Sequence, residues 1–133
     1  LKENKNLLNL FKGDLKSWLI YTSDKPIKSI YKNVFYVGDA FYTFPPTMAQ
    51  GASQAIEAAN EIFKLINDNH PDIQNEYFKN RVERTNLINK RSKLNYFGFH
   101  ITNPLLKTLR NFFLKRLVKN KNFIQNYLGK IYK

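Results

Sequence analysis

The sequence predicts an α/β chain that is mostly helical with a few strands, and three observations carry that expectation. Residues 33–37 (NVFYV) are apolar or aromatic on consecutive positions and run straight into Gly38-Asp39. Lack of alternation is the mark of a strand buried on both faces, as in a parallel sheet. From Ala52 onward, Ala55, Ile56, Ala59, Ile62, Phe63 and Ile66 follow at three- and four-residue spacings, the period of an amphipathic helix. Beyond Pro71 the chain continues in two more stretches of helical character.

Taken in order, the first element is the apolar run SWLIY at residues 17–21, read as a strand and closed by the turn formers TSDKP. The second is the strand at 33–37. The helix beginning at Ala52 stops at NDNHP, residues 67–71. A longer and more polar helix runs from about Ile73 into the nineties. At Thr102-Asn103-Pro104 a capping residue precedes a proline suited to a first helical turn, and a third helix follows with the stripe Leu105, Leu109, Phe112, Phe113 and Leu117. The chain shows no internal repeat and no low-complexity segment.

At 133 residues the chain is long enough for one core yet short for an enzyme holding both a cofactor and a substrate. It begins at Leu1 rather than Met, and the expectation is a piece of a longer polypeptide. Cysteine is absent, which excludes disulfides and thiolate metal sites. With His70 and His100 as the histidines, no metal site is expected. The first residues do not read as a signal peptide, and the apolar runs fall short of the roughly 20 residues of a spanning helix. A cytoplasmic protein, soluble or peripheral at a membrane, is expected. The net charge of +12 is unevenly placed. Residues 1–83 carry 10 Lys and Arg against 10 Asp and Glu, whereas residues 84–133 carry 12 basic residues and no acid. Such a tail is a solvated helical face or a surface for anionic partners.

The stretch VFYVGDAFYTFPPTMAQGASQAIEAANEIF, residues 34–63, gathers the chemistry. A carboxylate at the end of a strand, Asp39, is an acceptor for hydroxyls, and open α/β folds bind ligands at that end. The helix that starts around Gln50-Gly51-Ala52 offers free N–H groups and a positive dipole end to an electron-rich group. Gly51 and Ala52 leave the backbone bare for a flat ligand, while Pro45 and Pro46 stiffen the intervening loop. A polyol at one end and an aromatic ring with a carbonyl edge at the other suit this arrangement, and flavin has both. The same order of elements also occurs as plain scaffolding.

The segment VGDAFYTFPPTMAQGASQAIEAA resembles the second flavin-binding motif of the FAD-dependent aromatic hydroxylases, the group A flavin monooxygenases. This family includes para-hydroxybenzoate hydroxylase, salicylate hydroxylase and the ubiquinone-biosynthesis hydroxylases, the last two being nearest in look. Its pattern is GDAAH, a few residues, Pro, GQG or AQG, then a small-residue helix with AIEDA. Gly38, Asp39, Ala40, Pro46, Ala49, Gln50, Gly51, Ala52, Ala55, Ile56 and Glu57 match in order and spacing. WLIYTSDKPIKSIYKNV looks like the end of the substrate-side sheet and the return segment, and EYFKNRVERTNLINKRS looks like the family's Tyr-x-x-x-Arg helix.

The resemblance implies the C-terminal part of a para-hydroxybenzoate-hydroxylase-like FAD-binding fold. Residues 1–32 would close the substrate-side sheet and return, 33–67 would form the strand-loop-helix of the FAD-binding domain, and 68–133 a C-terminal helical region. It also implies a monooxygenase that hydroxylates an aromatic or quinone-precursor ring with NAD(P)H and O2. Gly38 and Asp39 would belong to the cofactor site, Asp39 accepting a hydrogen bond from the ribityl chain. Pro46 would lie beside the isoalloxazine ring, and the Gln50, Gly51 and Ala52 backbone would meet its pyrimidine edge. The partners implied are a small aromatic substrate and the missing N-terminal part of the same chain. Departures are specific: Phe41-Tyr42 replaces Ala-His, Ala58 replaces Asp, and no G-x-G-x-x-G follows a strand. The 133 residues by themselves are therefore not expected to catalyse. Tyr42 is either a donor near the cofactor or a buried structural tyrosine.

The alternative from another class is a non-catalytic helical fragment, or a peripheral membrane module that uses the basic amphipathic tail. The stripe of the third helix can pack on the domain or lie on an anionic bilayer. Nucleic acid is not expected, because the aromatics sit within the stripe rather than between the basic residues. His70 reads as an exposed loop residue and His100 as a core-edge residue. Glu57 and Glu61 lie one turn apart, with Lys64 placed to pair with Glu61 on the surface. No nucleophile and base stand at a recognisable spacing, so a hydrolase has no support.

Overall fold

The computed structural model describes residues 16–131, and the first fifteen residues of the predicted 1–32 segment lie outside it. Four helices follow one another: α1 (Gly51–Asn67), α2 (Ile73–Phe99), α3 (Pro104–Leu117) and α4 (Lys121–Tyr127). Two 3-10 turns, Gly38–Ala40 and Pro46–Met48, precede them. Among the described residues there is no strand and no sheet, so the expected α/β FAD-binding fold is corrected to a small helical one.

Residues 17–21 and 33–37 are the two runs read as strands, and the reason they form none is a lack of partners. The backbone before the first 3-10 turn is extended, with Val37 at φ −127 and ψ 156. An extended chain becomes a strand only when a neighbour pairs with it. Around residues 23–27 the chain does run beside residues 41–43, through Ser23 N–H to Thr43 O (3.0 Å) and Ile27 N–H to Phe41 O (3.1 Å). Pro26 lies between these bonds without an N–H to donate, so they stay two isolated bonds rather than a continuous ladder. Trp18 and Leu19 are more than 80% exposed, at 83% and 81%. Val34 and Val37 are also exposed, contrary to a strand covered on both faces.

The helices begin and end where local chemistry directs. Asn69 takes a left-handed φ of 49 just beyond α1, where its N–H and that of His70 close on Ile66 O and Leu65 O at 3.0 Å each. Asp72 caps α2 by accepting from Asn75 N–H (3.3 Å). Asn103 caps α3 by accepting from the N–H groups of Leu105 (3.0 Å) and Leu106 (3.2 Å), with Pro104 in the first turn. Asn120 caps α4 through Phe123 N–H (3.0 Å).

The core is an aromatic cluster where α1 and α2 close on residues 35–44. Phe41, Tyr42, Ala58 and Tyr77 are buried, with Phe35, Phe44, Phe78 and Val82 packed around them. Phe41 meets Tyr77 and Phe78 edge-on, with ring centres 5.9 Å apart in both pairs, the geometry aromatic quadrupoles favour. Tyr77 also donates to Tyr36 O (2.7 Å), which ties residues 33–37 to α2. Burial pushes its phenol up to about 12, so it remains a donor throughout the neutral range. Tyr77→Phe keeps the ring and strands that carbonyl, so a loss of about 1 kcal/mol in denaturant unfolding is expected.

The helices turn unexpected faces inward. The buried stripe of α2 is Tyr77, Arg81, Thr85, Ile88 and Ser92, and α1 buries Gln54 and Ala58. Ile56, Phe63 and Ile66 from the predicted apolar stripe of α1 are 72%, 62% and 52% exposed.

Candidate functional site

The site is built from the two 3-10 turns and the start of α1. Gly38 stands at φ +56, a left-handed conformation, and a Cβ on it would lie 3.1 Å from Ala55 Cβ. Both facts demand glycine, and together they seat the Gly38–Ala40 turn directly on α1, one turn in from its start. Asp39 thus projects from a turn fixed against the helix, and it is exposed. Its backbone oxygen accepts from Thr43 Oγ1 at 3.3 Å, while no ion pair to its carboxylate is formed among the described residues.

The second turn delivers the chain to α1 from the other side. Pro46 opens it, exposed, and Thr47 Oγ1 donates to Ser92 O (2.7 Å), which pins the turn to α2. Ala49 then adopts φ 51, a left-handed residue without the excuse of being glycine. No side chain caps α1, and Gly51, Ala52 and Ser53 are exposed, with nothing within 4 Å of where a Gly51 Cβ would sit. Gln50 is 3% exposed, and its Nε2 has no acceptor among the described residues. A buried donor left unmatched beside uncapped amides fits a ligand edge that carries acceptors. Gly38, Asp39, Gln50, Gly51 and Ala52 are thereby brought to one end of α1, with Pro46 at the start of the second turn.

An ion network that sequence spacing did not reveal supports this end. Arg81, 2% exposed, donates from Nη1 to Glu57 (2.9 Å) and Glu61 (3.4 Å), and from Nη2 to Gln54 Oε1 (2.5 Å). Arg84 grips Glu57 with Nε (2.8 Å) and Nη2 (3.0 Å), and Gln54 Nε2 donates to the same carboxylate (3.0 Å). Glu61 is thus partnered by Arg81 of α2, which corrects the expected surface pair with Lys64. Partial burial would raise the Glu57 carboxyl, but the hydrogen bonds and charges of Arg84 and Arg81 outweigh it and hold the carboxyl below the ordinary range. Burial wins at Glu61 and pushes it up, against the pull of Asn80 and Arg81. The Tyr77-x-x-x-Arg81 spacing is therefore a staple: one helical turn puts the phenol on residue 36 and the guanidinium on α1. Arg84 Nη2 also reaches Ile131 O (2.6 Å), which anchors the chain beyond α4.

Tyr42 is 2% exposed and packs on Phe44 at 4.9 Å, so it is a structural tyrosine. Burial, with the charge of Asp24 behind it, raises its phenol. His70 is half-buried in the loop, where Nδ1 accepts from Asp72 N–H (3.2 Å). His100 is exposed and leans on the Tyr96 ring at 4.1 Å, a correction to the core-edge reading.

No protein-family model matches the chain, and no solved structure matches it. Among curated proteins, the FAD-dependent monooxygenase ntnA of Nectria sp is 28% identical over 134 residues, covering 92% of this chain. The chain is similar to part of a FAD-dependent monooxygenase. It spans 17% of the length of that relative.

Proposed function

We propose that this chain is part of a FAD-dependent monooxygenase, and that the start of α1 with its two flanking turns forms one wall of the flavin site. The observation that carries the reading is the convergence of an exposed Asp39, uncapped amides at Gly51 and Ala52, and the unmatched Gln50 Nε2 at one helix end. Similarity to the Nectria monooxygenase over 92% of the chain supports it.

In this reading Asp39 accepts hydrogen bonds from ribityl hydroxyls, and Pro46 borders the ring. The Gln50, Gly51 and Ala52 region supplies donors to the pyrimidine edge, where the positive end of α1 stabilises negative charge. Bound FAD supplies the electron transfer and oxygen insertion, with NAD(P)H as reductant and an aromatic or quinone-precursor ring as substrate. The protein's task here is orientation. One wall does not enclose a cofactor, and the exposed Ile56, Phe63 and Ile66 on α1 mark where the remainder of a longer protein would pack.

Asp39→Ala tests the reading. A charge-assisted bond of about 1.5–3 kcal/mol is removed, so FAD should bind about 10- to 100-fold more weakly in the full-length protein while its circular dichroism is unchanged. Equal flavin occupancy in purified variant and parent counts against the assignment.

A further inference from the structure

We propose that α3, with the adjoining end of α2, rests on an anionic lipid surface. Helix α3 buries none of its residues: Leu105, Leu109, Phe112 and Phe113 are 80%, 52%, 59% and 53% exposed. At 100° per residue these four and Leu106 occupy one arc, while Lys107 and Asn111 lie on the other side. Among the described residues the arc is unpartnered, yet the helix is capped by Asn103 and held in place by Arg110 Nη1 donating to Gly98 O (2.7 Å). That bond brings α3 beside Phe97 and Phe99, both 66% exposed.

Charge decides what covers this arc. From residue 84 to the end there is no Asp or Glu to meet a basic partner; Arg116 falls within the arc, Lys115 lies on its flank and Lys119 just past the helix end, all three exposed. Such a face meets an anionic sheet with its rings and leucines in the interface and its lysines at the phosphates. No helix of the described residues is long and apolar enough to cross a membrane, so the contact lies in the plane of the surface. Nucleic acid would need rings set between the cations, and here the rings share the apolar arc.

Flotation of the full-length protein with phosphatidylserine-containing vesicles and with pure phosphatidylcholine vesicles, at low and high salt, tests the proposal. Binding is expected to the anionic vesicles at low salt and to weaken steeply as salt rises. Replacing Lys115, Arg116 and Lys119 by Gln should raise the lipid needed for half-binding about a hundredfold. Leu109→Glu with Phe112→Glu should abolish flotation while flavin content and thermal midpoint stay at the parent values. The idea is overturned by protein that stays at the bottom of the gradient with anionic vesicles at low salt, or by equal binding to neutral ones. It also fails if the glutamate variant loses flavin or thermal stability, since the arc would then be packed inside the protein.

Discussion

Replacing Arg81 by alanine should cost about 3–5 kcal/mol of stability, the largest effect of any single substitution in this chain, because it removes one partner of a buried ion pair and leaves the others stranded. Arg81 is 2% exposed and joins Gln54, Glu57 and Glu61 of α1 to α2. Without it, the Glu61 carboxylate and Gln54 Oε1 lose their donor, and a gap opens between α1 and α2. Arg84 still holds Glu57, so the loss falls on Glu61 and Gln54 first. Denaturant melts of Arg81→Ala, Glu61→Gln and the double variant should show strong coupling, the double costing far less than the two singles together. Additive losses would mean that Arg81 acts by filling volume. The pH dependence has a definite sign. Glu57 is held below its ordinary 4.5, so its stabilising contribution is complete above that value and disappears as pH falls through the folded pKa. Glu61 is raised and acts oppositely, contributing toward acid and losing that contribution as pH rises through its folded pKa. Glu57→Gln should therefore flatten the acid limb of the parent's stability profile.

Gly38→Ala should damage fold and ligand together. The left-handed backbone at φ +56 costs an L-residue about 1–2 kcal/mol. The added methyl also meets Ala55 Cβ at 3.1 Å, so the turn that carries Asp39 and α1 must give by a few tenths of an ångström. A drop in the thermal midpoint with loss of bound FAD is the expected pair of readouts. Gly51→Ala provides the contrast, because nothing lies within 4 Å of its new methyl. It should leave the melt unchanged and yet lower FAD occupancy, since the methyl occupies the face on which the ring would lie. Full flavin retention in Gly51→Ala would remove the start of α1 from the site.

The three longer helices were legible because their punctuation is local: Asn69 and Pro71 after α1, Asp72 before α2, and Asn103-Pro104 before α3. The small α4 carries a single signal, Asn120, and was not read. The strands were misjudged because an apolar run states what a segment could pair with, whereas pairing needs neighbours elsewhere in space. The face of α1 misled for a related reason. Hydrophobic spacing assumes that the apolar side turns inward, yet here Gln54, Arg81, Thr85 and Ser92 are buried and Ile56 and Phe63 are not. Only a partner's position reveals that an arginine is satisfied there. Of the candidate site, Gly38, Asp39, Pro46, Gln50, Gly51 and Ala52 were named from a motif, whereas the left-handed Ala49 ahead of α1 and the Glu57-Arg81-Arg84 brace were not.

The outward apolar face of α1 has a calorimetric consequence. Heat capacity rises on unfolding because apolar surface enters water, typically by about 12–15 cal/mol/K per residue. Ile56, Phe63 and Ile66, like Trp18 and Leu19, are already in water when the described chain is folded by itself. Melting then adds hydration mainly from the Phe41, Tyr42 and Tyr77 cluster, and less than a fully covered α1 would give. Standing alone, these residues would have a shallow, nearly straight stability curve with weak denaturant dependence, and the usual curvature would return when another surface covers that face.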